Sequence, residues 1–297
     1  MQMMNNVLKG SIFIALGAAS YGMLGVIVKL AYHDGFSTAE VTLSQFGLGF
    51  GGLFILILFQ KQQPVLATRT SRVKSILKLV VAGTSLGLTS VFYYLAVQCI
   101  PVSVGIVLLM QTVWMGIVVE MILYKKTPAL RKIMSVFIIL AGTVLATNLL
   151  KQSVNINWMG FGWGFLAALC YTATMFTSNH LELHFPPLKR SLYLVFGGLI
   201  VIVLIFHSAL NKGLSYDIFT SWGILLSLFG TILPPLLFTR GMPLTGIGLG
   251  AIIASIEIPV AIFTANILLK EPVNLLQWIG VVLILLAVVL MNIRKKI

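Results

Sequence analysis

Residues Gly246–Leu269 read GIGLGAIIASIEIPVAIFTANILL. The stretch is apolar almost throughout. It is long enough to cross a bilayer, which takes about 20 helical residues at ~1.5 Å rise each. Glu257 and Pro259 sit near its midpoint. A charged side chain at the bilayer centre costs about 2.5–3.5 kcal/mol on insertion scales, and proline removes a backbone donor and bends the helix. A segment holding both must pack against other helices or line a wet cavity. The remainder of the chain is therefore expected to supply a multi-helix bundle with a polar interior.

Composition agrees. Hydrophobic residues make up 59% of the 297, and charged residues 9%, against about 25% charged in soluble domains. Mean hydropathy is +1.03. The net charge of +13 reads as the basic bias of cytoplasmic loops. Nucleic acid is excluded as a partner because basic and aromatic residues do not interleave on a polar surface. Cys99 and Cys170 stand apart in apolar runs and suggest neither a disulfide nor a metal site. Met1–Lys9 leads into an apolar run too long for a signal-peptide core, which marks a retained first helix.

Apolar runs and breakers predict an all-α membrane protein of ten transmembrane helices. They cover Leu8–Tyr32, Ser37–Phe59, Val73–Val97, Pro101–Tyr124, Pro128–Leu150, Trp158–Leu181, Leu188–His207, Tyr216–Thr239, Gly246–Leu269, and a last helix opening at Glu271-Pro272 and running to Ile293. Ser37 and Glu40 have capping-box spacing. Thr127-Pro128 reads as a cap followed by an N1 proline, and Pro243 precedes the ninth helix. Lys29, Lys151, Lys212 and Lys270 fall on one side, and the other sixteen of the 20 Lys and Arg on the opposite side. That asymmetry puts both termini in the cytoplasm. The expected location is a plasma membrane, the inner membrane in a bacterium, with the chain crossing the lipid bilayer repeatedly.

The halves, 1–150 and 156–297, repeat one another. Ala15-Leu16-Gly17-Ala18-Ala19-Ser20-Tyr21 aligns with Phe165-Leu166-Ala167-Ala168-Leu169-Cys170-Tyr171 at a shift of 150. Leu123-Tyr124-Lys125-Lys126 aligns with Leu268-Leu269-Lys270-Glu271 at a shift of 145. Five helices per half is an odd number, so the repeats are expected to be inverted. Inverted repeats mark secondary transporters with a midplane site between the halves.

Helices nine and ten resemble the second repeat of EamA-type transporters of the drug/metabolite transporter superfamily. The resemblance rests on Gly246-Ile247-Gly248-Leu249, Ile256-Glu257-Ile258-Pro259, Leu268-Leu269-Lys270-Glu271-Pro272, Gln277-Trp278-Ile279-Gly280 and Leu286-Ala287. It extends over the whole chain, with departures in the first repeat. Lys126 replaces a common Glu, Gln45 replaces a common Arg, and helix four has no proline matching Pro259. The resemblance implies a two-repeat carrier, often an exporter, of a small organic solute. It also implies a central cavity lined by helices one, three, four, six, eight and nine.

Glu257 is the leading candidate, either as a proton-coupling carboxyl or as a substrate ligand. The bland alternative is a neutral acid bonded to a neighbouring helix. No Lys or Arg is expected at its depth. Gln111 and Thr112 occupy the counterpart position in helix four, with Trp114 nearby. Tyr21, Tyr93, Tyr171, Thr174 and Ser178 add hydroxyl and aromatic groups, a lining that suits a planar or amphipathic solute. Tyr94 is not expected to share a cavity with Tyr93. Interhelical hydrogen bonds, worth roughly 0.6 kcal/mol each, are the alternative for all of these. Pro234, Pro235 and Pro259 are candidate hinges. Glu120 is read as a solvated partner of Lys125, and Arg190 and Arg240 as rim charges. No Ser-His-Asp arrangement, metal-spaced histidine cluster or phosphate-binding glycine loop points to an enzyme or a cofactor. Scarce internal cations favour a neutral, zwitterionic or cationic solute, with protons as the coupling ion. The competing expectation is a multi-pass receptor or assembly factor that transports nothing.

Overall fold

In hydrocarbon a backbone N–H or C=O finds no water, so an apolar run satisfies its polar groups within itself as a helix. The computed structural model describes residues 2–60, 69–100, 102–125, 127–149, 157–211, 214–270 and 272–292, and all of these are helix, turn or short connection. The first half comprises α1 (Gln2–His33), α2 (Thr38–Phe59), α3 (Arg69–Cys99), α4 (Val102–Leu109), α5 (Thr112–Tyr124) and α6 (Leu130–Ala146). The second comprises α7 (Trp158–His180), α8 (Pro187–Ile205), α9 (His207–Asn211), α10 (Asp217–Thr220), α11 (Gly223–Ser227), a π-helical turn (Leu228–Ile232), α12 (Leu233–Thr245), α13 (Ile247–Ala254), α14 (Glu257–Leu268) and α15 (Leu275–Asn292). Among the described residues, eight helices or broken helices are long and apolar enough to span a membrane, and Leu275–Met291 is a shorter apolar helix. The expected features at Pro64, Pro101, Lys126, Lys151–Ile156, Lys212, Glu271 and the C-terminal tail lie outside the described residues.

Local chemistry explains the helix ends. The Ser37–Glu40 capping box forms, with Ser37 N–H donating to Glu40 Oε2 at 2.7 Å and Glu40 N–H to Ser37 Oγ at 3.4 Å. Thr127 and Pro128 do not open the fifth helix as expected. Ala129 is the cap, and α6 begins at Leu130. Pro243 does precede the ninth helix, but from inside the last turns of α12, and Gly246, at φ +84°, makes the turn into α13.

The eighth helix departs most from expectation. It assembles from α10, α11 and the π turn before α12 begins. Pro234 and Pro235 have no N–H to offer the carbonyls of Gly230 and Thr231. The backbone winds wide instead, and Leu233 N–H reaches back to Leu228 O.

Packing between helices is symmetric under exchange of the two halves. α3 packs on α7 and α8, while α1 packs on α12 and α2 on α11 and the π turn. α5 meets α13, α6 meets α15 and α2 meets α8. The α3–α8 crossing is backbone-close, since a Cβ on Gly83 would strike the Leu194 backbone and one on Gly197 the Val80 backbone. The largest buried cluster draws from both halves, including Ile14, Met110, Val113, Met242, Ile247 and Ala251.

Candidate functional site: a tyrosine-walled cavity beside two helix breaks

The ninth helix is broken where a continuous one was expected. Pro259 cannot donate to Ser255 O, and the chain tightens into a 3₁₀ turn. Ile256 N–H donates to Ile253 O at 3.1 Å and Ile258 N–H to Ser255 O at 3.1 Å. Ile252 O, deprived of its usual partner at Ile256, accepts from Ser255 Oγ at 2.7 Å. The break puts Glu257 in the first turn of α14, the end where the helix dipole suits an acidic group.

The fourth helix breaks at the same register without proline. Gln111 N–H donates to Leu108 O and Val113 N–H to Met110 O, both at 3.0 Å. Each bond is the counterpart of one in the ninth helix at a shift of 145. The orphaned carbonyl is Val107 O, the mate of Ile252 O. The Gln111 side chain fills it, Nε2 donating at 2.9 Å, while its Oε1 accepts from Trp114 Nε1 at 2.8 Å. Gln111 and Thr112 therefore flank a break rather than the middle of an intact helix. Lys125 (φ +49°) and Lys270 (φ +54°), repeat mates by the same shift, are both left-handed.

Glu257 lines a cavity of about 190 Å³ with Tyr21, Tyr93, Tyr94, Tyr171, Lys29 and Tyr32. Tyr171 Oη donates to Glu257 Oε2 at 3.4 Å. Tyr21, the repeat mate of Tyr171, meets it edge-on with ring centres 6.1 Å apart, and meets Phe238 at 5.8 Å. A second chamber of about 390 Å³ shares Gly25, Lys29, Tyr93, Ile106, Ile258 and Ala261, and continues past Thr147, Asn148 and Gln277. The cavity thus communicates with the bundle end that carries Lys29 and Lys270. Ile14, Met110, Val113, Met242, Ile247 and Ala251 pack between it and the end that carries Lys9 and Arg240.

Several placements correct the sequence reading. Tyr93 and Tyr94 both line the cavity, because adjacent residues lie only 100° apart and the space wraps around α3. Tyr94 Oη also donates to Gln45 Oε1 at 3.4 Å. Lys29, placed on the outer rim by charge counting, lines both chambers. Tyr21, Gly25 and Lys29 recur every fourth residue on α1, a spacing that marks one helix face. Glu120 pairs with Lys132 at 2.6 Å, not with Lys125, because α6 brings Lys132 across to α5.

Arg190 is no rim charge. It is 2% exposed, and its guanidinium donates to the carbonyls of Leu181 (3.0 Å), Thr239 (3.0 Å), Thr177 (3.2 Å) and Ser178 (2.7 Å). Thr239 O is the carbonyl that Pro243 leaves without a donor. The other three belong to the C-terminal end of α7, where orphan carbonyls and the helix dipole favour a cation.

The remaining candidates sit elsewhere. Thr112 is fully buried and bonds Thr172 at 2.8 Å. Thr174 bonds Ser85 at 2.9 Å, and Ser178 is buried beside Arg190. Trp114 is held by Gln111. None of these lines either chamber. Pro234 and Pro235 are buried behind the π turn, and Pro259 is buried at the break.

The model of the EamA-like transporter family matches residues 8–148 and 158–293. A solved structure described only as a crystal structure of a protein superposes with a TM-score of 0.76, covering 96% of each chain at 12% identity. Identity that low speaks for the fold alone. No curated protein matches the sequence. With one family match over each half, together covering nearly the full length of a multi-pass helical bundle, the chain belongs to the EamA-like transporter family.

Proposed function

We propose that the protein is a secondary carrier that exports a small organic metabolite by alternating access, with Glu257 coupling transport to protons. The observation that carries this reading is the placement of Glu257. Glu257, the one carboxyl among the described lining residues, stands at a helix break among tyrosines, in a cavity that Lys29 also lines, with a cluster of buried apolar side chains packed beside it. Such a cavity is what one state of an alternating-access cycle requires. Exchange-symmetric packing of the halves and the odd number of crossings expected of each support an inverted repeat, whose two states interconvert by rocking one unit against the other. The charge asymmetry supports cytoplasmic termini in a plasma membrane, with the cavity facing outward. Pro234, Pro235 and Pro259 mark the segments that bend. The Tyr21, Tyr93 and Tyr171 faces, Glu257 and Lys29 suit a neutral, zwitterionic or cationic solute with a planar or amphipathic body.

The test begins with thermal unfolding of the purified chain against amino acids, nucleosides and cationic drugs, because a bound ligand raises apparent stability by mass action. A ligand found there is then assayed for flux in vesicles under an imposed pH gradient. Glu257→Gln keeps size and removes proton exchange. Its expected phenotype is loss of pH-driven accumulation, with counterflow and thermal stability retained. Undiminished pH-driven accumulation in this variant overturns the coupling role. Binding without flux in the wild type favours the rival reading of a non-transporting membrane protein.

A further inference from the structure

We propose that the cavity between α1, α8 and α12, at the opposite end of the bundle from the Lys29 opening, binds the phosphate headgroup of an anionic membrane lipid. This cavity measures about 430 Å³ and shares no lining residue with the Glu257 chambers. Three cations line it: Lys9 from α1, Arg190 from α8 and Arg240 from α12. Among the described residues, no acidic side chain does. The nearest carboxyl in sequence, Glu182, is engaged by Lys78 at 3.3 Å and His184 at 3.4 Å.

Arg190 makes the site more than a basic rim. Its charge is buried, and its hydrogen-bond partners are four carbonyl oxygens, not a carboxylate. A guanidinium has five N–H donors, so one is left over after those bonds. Carbonyls satisfy the donors but leave the net positive charge of the pocket uncancelled. Lys9 and Arg240 are exposed above it, free to close on an anion.

The rest of the lining selects a lipid over a soluble anion. Phe13, Phe185 and Leu244 give the pocket apolar walls, and the Lys9 ammonium sits 6.0 Å from the Phe13 ring centre. Beside the cavity, Leu8, Ile12 and Leu16 form an exposed apolar stripe on α1, between 52% and 56% exposed. That stripe offers an acyl chain a path along the helix from the headgroup. Basic pockets between helices at the cytoplasmic surface are where anionic headgroups bind. The inference needs only a membrane-embedded chain and does not rest on transport.

The full chain in neutral detergent is unfolded thermally with added phosphatidylglycerol, with phosphatidylcholine, or with inorganic phosphate. Phosphatidylglycerol is expected to raise the midpoint by about 3–5 °C, and the other two by less than a third of that. Lys9→Gln combined with Arg240→Gln leaves Arg190 and the fold intact. It should keep the lipid-free midpoint and lose most of the shift, and native mass spectrometry should show fewer retained phosphatidylglycerol molecules. A charge-matched pair, Lys74→Gln with Lys125→Gln, should keep the shift. Equal protection by phosphatidylcholine or by inorganic phosphate overturns the assignment. So does an equal loss in the charge-matched pair, which would reduce the effect to general surface charge.

Discussion

The breaks at Gln111 and at Ile256 share a backbone and differ in chemistry. Both replace an i−4 bond with 3₁₀ bonds at matching positions, and in both a side chain bonds the carbonyl that loses its i+4 donor: Gln111 on Val107 O, and Ser255 on Ile252 O, which also accepts the Ser255 N–H at 3.3 Å. In the second repeat the residue after the turn is Glu257, which faces the tyrosine cavity. In the first it is Thr112, fully buried against Thr172. The second break is enforced by proline, which cannot donate at all. The first is held by a glutamine–tryptophan pair that leaves every backbone N–H intact. Repetition of the fold therefore preserved a bend in two helices, while only one bend carries a carboxyl.

The comparison can be broken most severely by forcing symmetry on it. Thr112→Glu would bury a second carboxyl where no cavity receives it. Its expected cost is about 3–5 kcal/mol of stability, the scale of an uncompensated buried charge, read as a large fall in the thermal midpoint. A midpoint near wild type would mean that Thr112 has access to water and that the two breaks are chemically alike.

Removing the holding group of the first break should cost less. Gln111→Leu deletes the bonds to Val107 O and Trp114, for an expected loss of about 1–2 kcal/mol. Pro259→Ala gives the second break back its donor. Its stability should change by under ~1 kcal/mol, while flux falls as α13 and α14 straighten. If Gln111→Leu alters flux as much as Pro259→Ala, both breaks act in the cycle and the asymmetry is only one of side chains.

The smallest effect sharpens the comparison at helix ends. α1 leads through a short turn to the Ser37–Glu40 box, whereas its mate α7 leads to Glu182. Burial pushes the Glu182 carboxyl up, but the hydrogen bonds from Ser75 and Lys78 and the charges of Lys78 and His184 outweigh it, so the net shift is downward. A carboxyl held below its unfolded value stabilises the fold above that value, and the contribution disappears as pH falls through the folded one. Glu182→Gln should therefore lower stability at pH 7 by about 0.5 kcal/mol, with the difference from wild type vanishing in acid. A difference that persists unchanged at pH 3 would contradict the ionic account.

Much of this was legible in the chain. Apolar length marked the helices, Ser37 and Glu40 spelled their own cap, and repeat spacing paired Tyr21 with Tyr171. Pro259 warned of a break and Glu257 of a polar interior. Gln111 gave no such warning, since glutamine sits in helices without disturbing them; only Trp114 and the bundle around it select the broken form. Arg190 read as one more basic loop residue, because nothing local says that Pro243, 53 positions later, will leave a carbonyl needing a donor. Lys29 was counted by its side of the membrane, although its four-residue spacing from Gly25 and Tyr21 already placed it on their face.

By itself the sequence determined which segments are helices, how the two halves correspond and that one carboxyl must be sheltered from lipid. These follow from local backbone satisfaction and from the cost of charge in hydrocarbon. Only the tertiary structure decided which polar groups share a cavity, which close on each other, and where a lone cation finds its carbonyls. Those outcomes depend on atoms brought together from distant positions, and no short-range pattern encodes them.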